Sequence, residues 1–196
     1  MYDYKIQKEL MLIFLHDILA YKDRGTWRHS IRVGELCQGI ANILGLSYQD
    51  SADVAMAGYF HDIGKIYLLE VINQPGQLAN RQRELMIHHP QYGSELLANQ
   101  WRNLPEDINL GILLHHERLD GTGYPFKLQG EDIPLIARIV AVADVYDAMS
   151  NDRPYHPALP RSVIMKELHR EGYDPKVVQA LEEYLALPEE RMLEVL

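Results

Sequence analysis

Residues 134–150 read Pro-Leu-Ile-Ala-Arg-Ile-Val-Ala-Val-Ala-Asp-Val-Tyr-Asp-Ala-Met-Ser. Pro134 suits a helix start, where a missing N–H costs nothing, and it opens a long helix that runs to about Ser150. The segment Ile139–Val145 is apolar apart from Asp144. Such surroundings belong to a core, and a carboxylate in a core needs a cation or several hydrogen-bond donors. One helix thus carries a claim about the fold and a claim about chemistry. Arg138 lies in the same run and suits either an internal ion pair or a substrate contact.

Working outward, the rest of the chain also reads as helix. Pro105 opens a helix that ends near Glu117, and Pro160 and Pro175 occupy first-turn positions of two more. Upstream, Thr26 suits the N-cap of a helix from Trp27 to about Leu44; Gly45 ends it, and Ser47 caps the next, which runs toward His61. Tyr67 to Leu78 looks irregular, punctuated by Asn73, Pro75 and Gly76. A helix from about Asn80 to His88 meets Pro90, after which the chain continues helically to Ala98. Asp120 to Pro125 must be a loop. Tyr4 to Tyr21 carries apolar residues at Ile6, Leu10, Ile13, Phe14 and Ile18, a period near 3.6. No run shows the alternation or β-branched density of a sheet. The expected architecture is therefore all-α. A lead-in helix over residues 1–24, which could pair two copies of the chain, precedes one domain over residues 25–196.

Composition narrows the function. A chain of 196 residues that is 47% hydrophobic suits one globular domain with a substantial core. A formal net charge of -9 argues against a polynucleotide-binding surface, though not against a small anion held by metal ions and a few local cations. Cys37 stands alone, so it reads as a buried free thiol rather than part of a disulfide or cysteine zinc site. The apolar stretches are far short of the ~20 residues a spanning helix needs, and the N-terminus lacks a signal-peptide pattern. These features lead us to expect a cytoplasmic protein with no membrane partner.

The nine histidines are not scattered evenly. His29, His61-Asp62, His88-His89 and His115-His116 fall at telling places, with Asp144 as a further carboxylate. Neutral imidazole and carboxylate are the ligands that borderline divalent metals prefer. Neighbouring helical side chains diverge by about 100°, so such pairs splay poorly into a dry core. At a helix end a pair can straddle one ion or put a carboxylate between two. The set suggests two ions: one held by His29, His61, Asp62 and Asp144, the other sharing Asp62 and taking His89, His115 and His116. A pair of ions at ~3.5–4 Å suits in-line attack on a phosphodiester.

His61-Asp62-Ile63-Gly64-Lys65 resembles the defining segment of HD-domain phosphohydrolases. His115-His116-Glu117-Arg118-Leu119-Asp120-Gly121-Thr122-Gly123-Tyr124-Pro125 is similar to the HHExxDGxGYP signature of the HD-GYP subfamily at every defined position. The segments from Arg138 to Asp144, Tyr146-Asp147-Ala148 and Arg153-Pro154-Tyr155 also resemble that family. The resemblance implies an HD-domain helical bundle and a phosphodiesterase that cleaves cyclic di-GMP to pGpG, and further to GMP if a second step follows. It implies attack by a metal-bound hydroxide at a binuclear site, with iron or manganese as the metals. Carried over by position, the ligands are the same residues; His89 is preferred to His88 because His89-Pro90 and Gly93 match the family pattern. Asp62 would be the bridging ligand, Lys65 would contact the scissile phosphate, and Tyr124 and Arg153 would hold guanine and phosphate.

Two departures stand out. Members with three metals carry a glutamate one helical turn before the first histidine; here Gly25 stands there, so a third ion lacks a ligand. Where members often have a basic residue after Arg-Pro-Tyr, this chain has His156, expected near the substrate phosphate. Rival readings are an HD phosphohydrolase for another nucleotide, or a catalytically weak module that binds the nucleotide or docks a diguanylate cyclase or sensory partner. Glu117 and Asp120 read as groups that orient the ligands from behind or fix the loop, rather than as ligands themselves. Gly121 and Gly123 are expected to supply backbone angles closed to other residues.

Overall fold

The computed structural model describes residues 20–72, 80–152, 157–170 and 172–188, together with Ile13, Asp17 and Ile18. Most of the lead-in helix, and with it the expected pairing of two copies, lies outside these residues, as do Arg153 and His156. The described residues contain helices and no strand. The helices are α1 (Arg24–Ile43), α2 (Tyr48–Phe60), α3 (Leu69–Ile72), α4 (Asn80–Met86), α5 (His89–Gln100), α6 (Glu106–Leu114), α7 (Leu135–Ser150), α8 (Arg161–Leu168) and α9 (Pro175–Tyr184), with a 3-10 helix over Ile63–Leu68.

The stretch that opens the reading is the hub. α7 packs against α1, α2, α6, α8 and α9, which explains why its run from Ile139 to Ala143 is apolar on every side. Pro134 stands at its N-cap, where its missing N–H costs the helix nothing. Around α7 the core gathers Val33, Cys37 and Ile40 from α1, Met56 and Phe60 from α2, and Ile112 from α6, all without exposed surface. Phe60 packs edge-on against Trp101, with ring centroids 6.4 Å apart. Truncating it to alanine would cost about 3–5 kcal/mol.

Two local expectations are corrected. α1 starts at Arg24, not Trp27, because Asp23 is its N-cap: the carboxylate accepts from Gly25 N at 3.1 Å and Thr26 N at 3.0 Å. Thr26, expected as the cap, instead donates its hydroxyl to Asp23 at 2.5 Å. An ionised acceptor at a helix N-terminus also meets the positive end of the helix dipole, an advantage threonine lacks. The segment 67–72, expected to be irregular, is helical: the end of the 3-10 helix followed by α3. Ser47 does cap α2, accepting from Asp50 N at 3.2 Å.

The turn that leaves α2 is held against α5 by bare main chain. A Cβ on Gly64 would stand 2.0 Å from the His89 carbonyl oxygen and 2.5 Å from the Gly93 amide. No side chain fits there, and the contact fixes the segment bearing His61-Asp62 against the start of the helix bearing His89.

Candidate metal centre

The fold brings His29, His61, Asp62, His89, His115, His116 and Asp144 to one place. Three of the elements deliver these residues at helix ends. His61 is the C-cap of α2 and Asp62 follows it; His89 is the first residue of α5; His115 is the C-cap of α6 and His116 follows. His29 comes from within α1 and Asp144 from within α7. Side-chain nitrogen or oxygen atoms of His89, His115 and His116, of His29, His61 and Asp62, and of His61, His115 and Asp144 each lie within 4.8 Å of one another.

Asp62 is the hub of the cluster. Its Oδ1 lies 3.2 Å from His89 Nε2, and its Oδ2 lies 3.4 Å from His61 Nε2 and 3.8 Å from His29 Nε2. Lys65 donates its ammonium to the same Oδ2. Asp144 Oδ1 lies 3.0 Å from His29 Nε2 and 3.7 Å from His61 Nε2.

The helix ends also select the tautomers. The Nδ1 atoms of His61, His89 and His115 donate to the carbonyls of Gly58, Met86 and Ile112 at 2.8, 2.6 and 2.7 Å. A carbonyl can only accept, so each Nδ1 carries the hydrogen and each Nε2 turns a lone pair inward. His89 Nε2 and His115 Nε2 then face each other at 3.3 Å, and the buried His61 Nε2 has no hydrogen-bond partner. Lone pairs this close repel unless a cation lies between them. A proton is a poor candidate at His115: burial, and then the nearby His116 and His61 rings, push it well below the usual imidazole value. Inward imidazole lone pairs with two buried carboxylates are a donor set that fits divalent metal ions.

The carboxylates are ready to serve. Burial opposes their charge, but His61 and Lys65 hold Asp62, and His29 and His61 hold Asp144, well below the ordinary value. Burial likewise opposes a charged His61, yet Asp62 and Asp144 outweigh it and raise that ring to about 10. A proton and a metal ion at His61 Nε2 are alternatives.

The 115–125 segment leaves the centre as a loop built on one acid. Glu117, 2% exposed, accepts from Phe126 N at 2.6 Å, Lys127 N at 3.1 Å and Leu128 N at 3.0 Å. Asp120 accepts from Thr122 N at 2.9 Å, closing the tip. Gly121 has φ +76, as expected of a glycine turn, but Gly123 is there for space: a Cβ would stand 2.5 Å from the His116 carbonyl oxygen and the Arg118 amide. Tyr124 stacks on His116 with centroids 4.6 Å apart and 27° between planes.

The structure pairs Arg138 internally. It donates to the Ile133 carbonyl at 2.6 Å, to Glu131 at 2.9 Å and to Asp174 at 3.1 Å, leaving its guanidinium engaged away from the cluster. At Gly25 there is no carboxylate, and the nearby Asp23 is committed to the helix cap. A contributor with no role assigned from sequence is Asp147, which accepts from His29 Nδ1 at 2.6 Å. Its signal was its spacing, three residues after Asp144 on one helix face.

Comparison with known proteins identifies relatives of the chain. The HD-domain family matches residues 14–177. The cyclic di-GMP phosphodiesterase response regulator RpfG of Xanthomonas campestris is 40% identical over 167 residues, covering 83% of this chain and 44% of that protein. The 3'3'-cGAMP-specific phosphodiesterase 2 of Vibrio cholerae is 34% identical over 181 residues, covering 90% of this chain and 34% of that protein. The chain thus spans less than half the length of these curated relatives. Among solved structures, the HDG"Y"P protein Bd1817 of Bdellovibrio bacteriovorus has the same fold, with a TM-score of 0.67 at 20% identity, over 83% of this chain and 53% of that one. With its helical fold, its histidine–aspartate cluster and an unbroken HHExxDGxGYP segment, the chain belongs to the HD-domain family and to its HD-GYP branch.

Proposed function

We propose that the chain is a metal-dependent phosphodiesterase that hydrolyses cyclic di-GMP to linear pGpG, and to GMP if the second diester is also cut. The observation that carries this reading is the set of helix-end histidines His61, His89 and His115, whose Nδ1 hydrogens are tied to carbonyls, so that their Nε2 lone pairs face into one cluster with Asp62 and Asp144. His29, His61, Asp62 and Asp144 would hold one ion; Asp62, His89, His115 and His116 would hold the other. Iron or manganese suits these ligands, although zinc and nickel share them. When bound, such ions supply Lewis acidity and a water whose pKa is lowered toward 7.

The protein's own groups do the rest. Asp62 spans both halves of the centre and keeps them in register. The Lys65 ammonium, anchored on Asp62, stands ready to offset charge that develops on the phosphoryl oxygens. Tyr124, stacked on His116, offers an aromatic face at the mouth of the centre, suited to a guanine base. Arg153 is proposed to share with Tyr124 the holding of the ligand's guanine and phosphate groups, and His156 to face the phosphate. The described residues include no helix long and apolar enough to cross a membrane.

The test is turnover of Mn(II)- or Fe(II)-loaded protein on cyclic di-GMP and 3'3'-cGAMP, with products separated chromatographically. Linear pGpG or GMP from cyclic di-GMP is the expected result. Preferential cleavage of 3'3'-cGAMP would move the chain toward the Vibrio cholerae relative's substrate. Tight binding without turnover would make it a nucleotide-binding module.

A further inference from the structure

His29 is held differently from His61, His89 and His115. His61, His89 and His115 each give their Nδ1 hydrogen to a neutral backbone carbonyl three residues earlier. His29 lies inside α1, where the backbone carbonyls are already engaged by the helix. A side chain takes their place. Asp147 Oδ2 accepts from His29 Nδ1 at 2.6 Å, while Asp144 Oδ1 faces Nε2 of the same ring at 3.0 Å. The two acids are three residues apart on α7, so one helix face grips both nitrogens of one imidazole.

Asp147 is itself built in. It is 2% exposed and accepts from Arg32 Nε at 2.5 Å, Arg32 Nη2 at 2.8 Å and Asn151 Nδ2 at 3.0 Å. Arg32 lies one turn after His29 on α1, so the fork binds the carboxylate from the same side as the ring. This is a buried acid whose two oxygens accept four hydrogen bonds, two each.

An ionised acceptor behind a metal-ligating imidazole makes the ring a stronger donor than a neutral carbonyl does, and fixes its orientation. From this contrast we infer that Asp147 is a positioning residue that makes the two metal positions unequal, tightening the ion on the His29 side relative to the one on the His89–His115–His116 side. Arg32 and Asn151 hold Asp147 in place for that task. The inference rests on the two-ion reading of the centre.

The experiment is chelator competition on metal-loaded wild type, Asp147→Asn and Asp147→Ala, reading ions retained per chain against free chelator. Wild type should release its ions in two separate steps, the tighter one assigned to the His29 side because His29→Ala abolishes it. Asp147→Asn keeps the shape and loses the charge, so it should weaken the tighter step alone, by about 10–100-fold. Asp147→Ala should weaken that step at least as much. Thermal melts of the loaded variants separate folding from affinity, and Arg32→Ala should move the same step in the same direction by less. Wild type that retains two ions with unequal steps, together with an Asp147→Asn profile superimposable on it, overturns the inference and leaves the metal centre standing. Equal weakening of both steps overturns it as well. Wild type that binds no divalent metal sinks the two-ion reading and this inference with it.

Discussion

Asp62 and Glu117 are both carboxylates withdrawn from water, 1% and 2% exposed, and their surroundings differ in kind. Glu117 is met by three backbone N–H groups of its own loop. Those donors have no other work, and the acid serves as a fixed anchor for residues 126–128. Asp62 is met by the imidazoles of His61, His89 and His29, a ring type that can ligate a metal ion, and by the Lys65 ammonium. Burial of an acid therefore says little about chemistry; the nature of its partners decides. The loop and the centre share a boundary at His116 and Glu117, so the contrast can be tested within one short stretch.

The largest expected effect is at Asp62. Asp62→Ala should release both ions and reduce turnover by about a thousand-fold or more, the scale of several kcal/mol of lost charge stabilisation. Elemental analysis and turnover on one sample check it. An Asp62→Ala protein that retains two ions breaks the comparison, because Asp62 would then be one more anchored acid.

Glu117→Ala should do the reverse. Three loop amides lose their acceptor, which costs about 3 kcal/mol and lowers Tm by roughly 6–12 °C for a chain of this size. The metal count should stay at the wild-type value. Loss of an ion in this variant would show that Glu117 belongs to the centre after all.

The comparison sharpens with pH in chelator-treated protein. Burial holds His115 and His116 well below the usual imidazole value. The unfolded chain therefore takes up protons below about 6.5 that the folded chain does not, and stability must fall as pH drops from there. His61 works in the opposite sense. Its value, raised to about 10, gives stability that is complete below about 6.5 and is lost as pH rises toward 10. Melts across pH 5–10 should show a maximum near 6.5, and a flat profile would mean that the histidines are not held as their contacts indicate.

The smallest effect is at Arg138. Its partner Glu131 is 95% exposed, so that ion pair contributes little. Arg138→Ala should cost about 1–2 kcal/mol through Asp174 and the Ile133 carbonyl, read as a Tm shift, with kcat/KM unchanged. A selective rise in KM would return Arg138 to the substrate.

The histidine–aspartate cluster was legible because its residue types are costly anywhere else. Histidine pairs at helix ends and Asp144 within an apolar run leave few ordinary explanations. The start of α1 was less legible: Asp23 and Thr26 both suit an N-cap and lie three residues apart, and only the folded geometry shows that the charged one wins. The helical segment 67–72 was hidden by the Asn, Pro and Gly that follow it. Asp147 could have been found, because its spacing from Asp144 puts both acids on one face. What the sequence does not encode locally is that α1 would carry His29 and Arg32 to that face from more than a hundred positions away.

The contact between Gly64 and the His89–Gly93 backbone has a bearing on how such a protein can diversify. The spacing between Asp62 and His89 is gauged by peptide against peptide, with no side chain interposed that mutation could lengthen or trim. The gauge is in effect fixed whole: substitutions can reshape the 115–125 loop or the surfaces beyond it, but they cannot retune the distance across the centre in small increments. Change at Gly64 is all or nothing, and novelty is pushed outward to the rim.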